Sequence, residues 1–371
     1  MRILFVTSAT PFTAEIEQTL RLASGLVPRG HEIHWMTSPG AESRPRAAKL
    51  GLPLHWFASN EFKRQPLRML GNLSALRTVI ARCRPDVVVA LESQVHSLCA
   101  LALLGSKGRG LVRWRGTALS PKGGPLSRRL YNRHTQAVLV PCSRQLEWAR
   151  SAGFRTSHWT VIDGCVDLDR FRPGPADPAL WRELGYPEDT QLVALVARLA
   201  PVKGIPVFLH ALARVRERHG GAAGVILGEA WEGQEEEFHA RARALGLSRA
   251  VKWMGRRDDV ERWLRLAKVG VVSSLGSEMH SRAALEYMAT GIPVAATRVG
   301  VLPEWLEGKS FARLAVPGDP ESLASAIREL LVSPERREWG RQARLEAESR
   351  FSPDRFLDQA EAALVRAGEG A

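Results

Sequence analysis

The sequence predicts an α/β protein built from two doubly wound, Rossmann-like domains that face each other across a cleft. Short valine-rich apolar segments alternate with segments of helical periodicity through most of the 371 residues, which is typical of parallel sheets covered by helices. A proline-dense segment near residues 164–180 interrupts the alternation, which then restarts. We therefore expect domains at 1–165 and 166–350. A final helix within 351–371 is expected to pack back toward the first domain.

The candidate strands follow from the apolar segments, taken in chain order. Those of the first half are residues 3–7, 32–37, 87–91, 110–114 and 137–141. Those of the second half are residues 192–197, 224–228, 251–255, 269–273, 293–296 and 312–316. Residues 16–27 show the apolar periodicity of an intervening helix, and Ser352 with Pro353 fits the start of the last one.

Composition restricts the class of protein. The chain is 45% hydrophobic, contains no run of 18 apolar residues, and begins with an apolar segment too short for a signal peptide. Its four cysteines have neither metal-ligand spacing nor a disulfide-rich pattern, as expected in a reducing compartment. We predict a cytoplasmic protein whose cysteines are small buried residues.

The net charge of +13 is concentrated in the first half. Residues 1–165 contain 23 Lys and Arg against 9 Asp and Glu, whereas residues 166–371 contain 29 against 30. A basic half favours an anionic partner, whether nucleic acid, an anionic membrane surface or a phosphorylated glycolipid. A basic helix with Leu67, Leu70, Leu73, Leu76 and Ile80 fits either an interfacial helix or the solvated face of a core helix. Its basic residues are Lys63, Arg64, Arg68, Arg77, Arg82 and Arg84.

Two glutamates, Glu278 and Glu286, lie between two candidate strands of the second half. We place the start of a helix near His280 or Ser281, so that Glu278 precedes the helix and Glu286 lies within it. Backbone amides at such a helix start favour an anion such as phosphate. The flanking carboxylates suit hydroxyls, as of a sugar and a ribose. Taken alone, the pair fits an ordinary loop residue and a solvated helix residue equally well.

Two cations, Arg198 and Lys203, follow the first strand of the second half. They are expected at the same sheet edge as the amides after Glu278, where they could stabilise a departing diphosphate. Neither half has the Gly-x-Gly-x-x-Gly or Gly-x4-Gly-Lys-Ser/Thr motif. Their absence disfavours dinucleotide oxidoreductases and P-loop enzymes.

In these features the chain resembles the retaining glycosyltransferases of family 4, which have the GT-B fold. The segment Ala197-Arg-Leu-Ala-Pro-Val-Lys-Gly204 is similar to the family's G-R-L-x-x-x-K-G, and Glu278 to Glu286 is similar to its E-x7-E. Residues 162–173 resemble its N-G-V-D-x-x-x-F-x-P hinge. Residues 29–33 and 291–297 also match in order and spacing.

The resemblance implies a catalytic set of Glu278, Arg198 and Lys203 and a nucleotide-sugar donor. Arg198 and Lys203 would hold its diphosphate, Glu286 its ribose, and Glu278 its sugar near the anomeric carbon. Amides of four consecutive residues would bind the outer phosphate and sugar. These are Met279, His280, Ser281 and Arg282. The resemblance also implies retention of anomeric configuration and no metal or other cofactor. The Arg282 side chain either gives a second contact to phosphate or to an acidic acceptor, or is solvated.

On the acceptor side the chain departs from the family pattern. The first loop reads Thr10-Pro-Phe-Thr-Ala-Glu15 where many members have two glycines, and Arg115 stands where many have a catalytic histidine. Glu15, Arg115 and His96 are the acceptor-side candidates. Glu92, His96 and Glu15 are loose candidates for an acid and a base in the first domain. The base and sugar of the donor depend on loops such as 228–233 and 256–260, which no motif identifies.

The leading hypothesis is sugar transfer to an anionic acceptor such as lipopolysaccharide core, by a cytoplasmic enzyme, peripheral on the cytoplasmic membrane face. A second hypothesis is a GT-B epimerase or hydrolase acting on a nucleotide sugar, which needs acid and base groups in the first domain. A third is a polyanion-binding protein without catalysis, whose binding would fall steeply with salt. Nucleic acid is not expected as a partner, because the near-neutral second half holds all the phosphate-binding features.

Overall fold

A computed structural model describes residues 1–60, 66–106, 108–117, 123–230, 234–276 and 278–370, except for the side chains of residues 66 and 67. The chain forms two compact units. Unit 1 comprises residues 1–164 and 354–371, and unit 2 comprises residues 165–353. Among the described residues, no helix is both long enough and apolar enough to span a bilayer.

Unit 1 contains a seven-stranded parallel sheet in the order β3-β2-β1-β4-β5-β6-β7. Its strands are β1 Arg2–Val6, β2 Glu32–Thr37, β3 Leu54–Trp56, β4 Val87–Ala90, β5 Gly110–Trp114, β6 Ala137–Val140 and β7 Trp159–Val161. Its helices before the linker are α1 Ala14–Leu26, α2 Ser43–Lys49, α3 Pro66–Cys83, α4 Ser93–Ala102, α5 Pro125–Arg133 and α6 Ser143–Ser151. The central strand β4 is buried along its whole length, which is why its sequence is uniformly apolar.

Unit 2 contains a six-stranded parallel sheet in the order β10-β9-β8-β11-β12-β13. Its strands are β8 Gln191–Val196, β9 Ala222–Leu227, β10 Val251–Trp253, β11 Val269–Val272, β12 Val294–Thr297 and β13 Ala312–Ala315. Its helices are α7 Pro178–Leu184, α8 Ile205–Arg218, α9 Glu235–Ala244, α10 Val260–Leu264, α11 Arg282–Thr290, α12 Leu302–Leu306, α13 Pro320–Val332 and α14 Arg336–Arg350. The predicted fold class, two doubly wound parallel sheets, is confirmed.

The strand order places a topological switch point in each sheet. In unit 2 the chain runs outward in one direction from β8 and then in the other from β11, and these two strands are neighbours. In unit 1 the corresponding neighbours are β1 and β4. Ligands of doubly wound sheets bind beyond the carboxyl ends of the strands at such a point. We therefore expect a ligand site of unit 2 to lie at the loops after β8 and β11.

The basic helix predicted from its leucines is α3. Its Leu76 and Ile80 are buried in the core of unit 1, whereas Leu70 is 58% exposed. The described arginines Arg68, Arg77, Arg82 and Arg84 are exposed. Lys63 and Arg64 lie outside the described residues, and the side chain of Leu67 is not described. The inner face of α3 is therefore that of a core-packed helix.

The last helix, α15 Pro353–Glu369, packs within unit 1. Phe356 is buried and makes an edge-to-face contact with Trp114 at the end of β5, with ring centroids 6.0 Å apart. Arg29 pairs with Asp358 and with Glu361, each at 2.7 Å. The helix therefore packs on the first part of the chain through buried apolar side chains and through ion pairs.

Candidate functional site

The loop after β8 is fixed against the loop after β11. Gly204 has φ of +65°, and a Cβ there would overlap the carbonyl oxygen of Ser273. The Ser273 hydroxyl donates to the carbonyl oxygen of Lys203 at 2.8 Å, and the amide of Leu275 donates to the carbonyl oxygen of Val202 at 2.8 Å. Only glycine allows this conformation and this approach together. The backbone of Lys203 is therefore positioned by the neighbouring strand.

Glu278 is a buried carboxylate with two described donors. It is 5% exposed, and its Oε1 accepts hydrogen bonds from Nζ of Lys203 and from the hydroxyl of Ser274. Lys203 lies in the loop after β8, and Ser274 lies in the loop after β11. A buried carboxylate needs such partners, because desolvation without them would be costly.

The backbone of Glu278 is held from a third direction. The amide of Val301 donates to the Glu278 carbonyl oxygen at 2.9 Å. The preceding residue, Gly300, has φ of +59° and lies so close that a Cβ would overlap the same carbonyl group. The loop after β12 therefore completes the support of Glu278. Sequence reasoning missed Gly300 and Ser274, because neither lies in a motif.

Met279, His280 and Ser281 follow Glu278 and are all buried. Among the described residues, neither ring nitrogen of His280 has a hydrogen-bond partner, and the Ser281 hydroxyl also lacks one. Burial lowers the pKa of His280 to about 4, so its ring is neutral at physiological pH. A neutral imidazole offers one donor and one acceptor. These buried polar atoms are available to a bound polar molecule.

Helix α11 begins at Arg282, in agreement with the predicted start. The amides of its first turn have no partner within the helix and point toward the helix N-terminus. Tyr287 anchors the helix, because its hydroxyl accepts from the amide of Val196 at 2.8 Å and donates to the carbonyl oxygen of Val271 at 3.2 Å. Glu286 is half-buried beside this anchor, whereas Arg282 is exposed.

The structure brings some of the predicted unit 2 residues into contact. Lys203 and Glu278 are in direct contact, and Met279 to Arg282 lead from Glu278 into α11. Arg198 lies in the loop after β8 and is exposed. In the loop proposed to read the base, residues 231–233 lie outside the described residues.

In unit 1, the acceptor-side candidate Glu15 lies close to the loop after β5. Its Oε1 accepts from the amide of Gly116 at 2.7 Å. Desolvation raises the pKa of Glu15 to about 7, with a smaller contribution in the same direction from Glu92, while Arg113, the Gly116 amide and Arg115 oppose the rise. Glu15 is therefore able to exchange a proton near neutral pH.

Glu92 joins the two loops at the switch point of unit 1. It accepts from the hydroxyl of Thr7 at 2.6 Å and from the amide of Ser8 at 2.9 Å. Thr7 and Ser8 follow β1, and Glu92 stands just before α4. This contact has the same arrangement as the Lys203 to Glu278 contact of unit 2, with a carboxylate bridging the ends of the first and fourth strands of a sheet.

The other two acceptor-side candidates differ in their surroundings. His96 is fully buried, its Nε2 lies 2.9 Å from the hydroxyl of Thr135, and burial holds its pKa well below the usual range. This packing is that of a core histidine. Arg115 is 3% exposed, and burial lowers the pKa of its guanidinium. It lies one strand position beyond Trp114, in the place where the sequence resemblance puts a histidine.

Comparison with known proteins gives a consistent result for both halves of the chain. Residues 16–164 match the family model described as Glycosyl transferase 4-like domain. Residues 190–333 match the one described as Glycosyl transferases group 1. Together the two matches span most of the chain.

Among curated relatives, D-inositol 3-phosphate glycosyltransferase of Corynebacterium jeikeium is 33% identical over 186 residues. That alignment covers 46% of this chain and 43% of the relative, so it spans less than half of each.

Among solved structures, Anabaena Alr3699/HepE in complex with UDP and glucose superposes with a TM-score of 0.84 at 22% identity, covering 98% of this chain and 99% of that one. The lipopolysaccharide outer core galactosyltransferase WaaB superposes with a TM-score of 0.76 at 16% identity, covering 98% and 99%. Because both sequence identities are below 25%, these superpositions show a shared fold and do not by themselves show a shared function.

Proposed function

This chain belongs to the group 1 glycosyltransferases, and we propose that it transfers a sugar from a nucleotide-sugar donor, bound in unit 2, with retention of anomeric configuration. The observation that carries the proposal is the contact of Lys203 with Glu278 across the switch point. It brings a cation for phosphate and a carboxylate for sugar hydroxyls to one sheet edge, next to the first turn of α11.

The proposed contacts of the donor follow from the charge and polarity of the residues around it. The diphosphate would lie between Lys203, Arg198 and the first-turn amides of α11, because cations and a helix N-terminus both favour phosphate. Both described contacts of Glu278 fall on Oε1, so a sugar hydroxyl would donate to Oε2. The neutral ring of His280 and the hydroxyl of Ser281 would supply further hydrogen bonds. Glu286 would accept from the ribose.

In the proposed step, the bond between the anomeric carbon and the diphosphate oxygen breaks. The acceptor hydroxyl oxygen forms its bond on the same face of that carbon, and its proton passes to the departing diphosphate. Negative charge grows on the diphosphate, where Lys203 and Arg198 stabilise it. Because the protein supplies this positive charge itself, we expect the transfer to need no metal ion.

We place an anionic envelope glycolipid, such as lipopolysaccharide core, as the acceptor class. The basic surplus lies in the first half of the sequence, with 23 Lys and Arg against 9 Asp and Glu in residues 1–165. Opposite charge would draw an anionic acceptor, or the membrane surface that carries it, to unit 1. The fold shared with WaaB agrees with this class without identifying the acceptor.

The proposal is tested by thermal unfolding with a panel of nucleoside diphosphates and nucleotide sugars. We expect one nucleotide class to raise the Tm of the native protein and to have little effect on Lys203→Ala and Glu286→Ala. Lys309→Ala is the matched control, because Lys309 pairs with Glu346 on the same unit, away from these loops. If no nucleotide stabilises the native protein, or all three variants respond like it, the donor site is elsewhere.

A second candidate function is hydrolysis or epimerisation of the nucleotide sugar, favoured by the pKa of about 7 at Glu15. A group with this pKa can act as acid and base at neutral pH, as such reactions require. Product analysis separates the two functions. Free sugar or an epimerised donor formed without an acceptor indicates the second, and a labelled glycolipid that forms only when the acceptor is present indicates the first.

A further inference from the structure

Three side chains with metal-binding atoms meet at the edge of the sheet in unit 1. They are His34 on β2, His55 on β3 and Cys83, the last residue of α3. One ligand atom from each lies within 4.8 Å of the other two. They are far apart in the sequence, so the spacing of the cysteines did not indicate them.

Two of the three distances in this cluster are close to those around a shared metal ion. Nδ1 of His34 lies 3.1 Å from Nε2 of His55, and Sγ of Cys83 lies 3.5 Å from the same nitrogen. Around a tetrahedral zinc ion, the usual bond lengths put two nitrogens about 3.4 Å apart and a nitrogen and a sulfur about 3.6 Å apart. Two edges of such a tetrahedron are therefore already formed.

The surroundings of His34 provide a second observation. Its Nε2 lies 2.9 Å from Oε1 of Glu32. A carboxylate that accepts from Nε2 fixes the tautomer in which Nδ1 carries the lone pair. Metal-bound histidines commonly have such a partner on the other ring nitrogen.

The backbone holds the three groups in register. The Cα of His55 pairs with that of Met36, so His34 lies diagonally across from His55 on the same face of the sheet. Arg84, directly after Cys83, has φ of +45°, and it is the single described residue other than glycine with a positive φ. Its amide donates to the carbonyl oxygen of Ile80 at 2.9 Å, so the strained residue ends α3 at Cys83.

We propose that His34, His55 and Cys83 bind a zinc ion through Nδ1, Nε2 and Sγ, with water in the fourth position. Two nitrogens and one sulfur suit zinc, which is bound by imidazole and thiolate. The ion would fasten β3, a three-residue edge strand that pairs with β2 alone, to β2 and to the end of α3. The side chain of His34 is 12% exposed, which gives the ion a path from solvent.

The test uses full-length protein made metal-free with a chelator and then titrated with Co²⁺. We expect saturation at one equivalent, a thiolate-to-cobalt charge-transfer band, and tetrahedral cobalt absorption that Zn²⁺ removes by displacement. Zn²⁺ should also raise the Tm of the protein, because it binds the folded state. A native protein without the charge-transfer band would overturn the proposal.

Variants assign the ligands. Cys83→Ala and His55→Ala should lose the charge-transfer band or bind at least tenfold more weakly. Cys99→Ala, which removes a buried cysteine of α4 in the core of unit 1, should keep the band and the affinity. Glu32→Gln should keep the band while affinity falls about tenfold. A band retained in Cys83→Ala contradicts the site. If that variant does not fold, the spectrum of the native protein and the affinity of Glu32→Gln still test the proposed zinc site.

Discussion

Lys203 donates through Nζ to Oε1 of Glu278, although the two residues lie 75 positions apart in the sequence. The contact spans the switch point of unit 2, where the first and fourth strands of its sheet are neighbours. Because Glu278 is 5% exposed, we expect the contact to stabilise the fold as well as the proposed donor site. The two roles can be separated by experiment.

Removing the lysine alone should cost both stability and binding. In Lys203→Ala, a buried carboxylate loses its cation, so the free energy of unfolding should fall by about 1–3 kcal/mol. The Kd of the stabilising nucleotide should rise at least tenfold. Denaturant unfolding and titration calorimetry measure the two quantities.

The double variant Lys203→Ala/Glu278→Gln provides the control. Without a charged carboxylate it should recover part of the lost stability but none of the binding. Equal stability in the single and double variants would mean that the Glu278 carboxylate is not destabilising when it lacks its lysine. Recovered nucleotide affinity would mean that Lys203 does not contact phosphate.

A methyl group at Gly300 should displace Glu278. Gly300→Ala places a Cβ against the Glu278 carbonyl group at φ of +59°, so we expect a stability loss above 2 kcal/mol, roughly the sum of backbone strain and overlap, together with weaker nucleotide binding. Gly308→Ala is the matched control, since it has φ of +74° with nothing near its Cβ. It should lose about 1 kcal/mol and bind normally. Similar behaviour of both variants would contradict the role given to Gly300.

His280 should make unit 2 sensitive to acid. Its pKa is about 4 in the folded protein and 6.5 in the unfolded chain, so the unfolded chain binds more protons between these values. Stability should therefore fall as pH decreases from about 6.5 to 4, by at most roughly 3 kcal/mol from this residue. Urea unfolding should show a shallower pH dependence for His280→Gln. His210 is partly exposed, so His210→Gln is the control. If the stability of His280→Gln depends on pH as steeply as that of the native protein, the prediction is wrong.

Glu15 should make the protein less stable as pH rises, which is the opposite of the effect of His280. Its pKa is raised from 4.5 to about 7, so its contribution to stability is present below pH 4.5 and is lost as pH rises through 7. Glu15→Gln should therefore be more stable than the native protein at pH 8, by at most about 3 kcal/mol, and similar to it at pH 4.5. Thermal unfolding at the two pH values measures this difference. A variant that is less stable at pH 8 would show that the carboxylate is well compensated.

Phe356→Ala should destabilise unit 1 by about 3 kcal/mol, because it removes a buried ring from its contact with Trp114. Leu345→Ala is a suitable comparison, since Leu345 is 62% exposed on α14 and should change stability by less than about 0.5 kcal/mol. Denaturant unfolding of the two variants measures the difference. A small effect of Phe356→Ala would mean that α15 contributes little to unit 1.

The strands found from the sequence are all those of four or more residues and the three-residue β10. The two that were missed, β3 and β7, have three residues each and lie at the two edges of the unit 1 sheet, where burial on one face leaves no apolar run. The helix start before Arg282 was predicted because its flanking strands were clear. Strand order was not predictable, since it depends on pairing between distant segments.

Pairing between distant segments also limits the prediction of the sites. The motifs indicated Lys203 and Glu278 separately, whereas their contact depends on β8 lying beside β11. Tyr287 looked like any apolar residue of an amphipathic helix, although its hydroxyl joins two strands. The cluster of His34, His55 and Cys83 depends on the pairing of β2 with β3, and β3 itself was not predicted. Local pattern identifies residue types, and tertiary pairing decides which of them meet.

The division of unit 1 into two sequence segments has a consequence for biosynthesis. A ribosome makes residues 1–164 first, then all of unit 2, and then residues 354–371. Until the last of these segments emerges, the surface of β5 around Trp114 lacks the ring of Phe356 and remains open to water or to a chaperone. Unit 2, being continuous, can finish folding during synthesis. The half of the protein that is made first is therefore the half that is completed last.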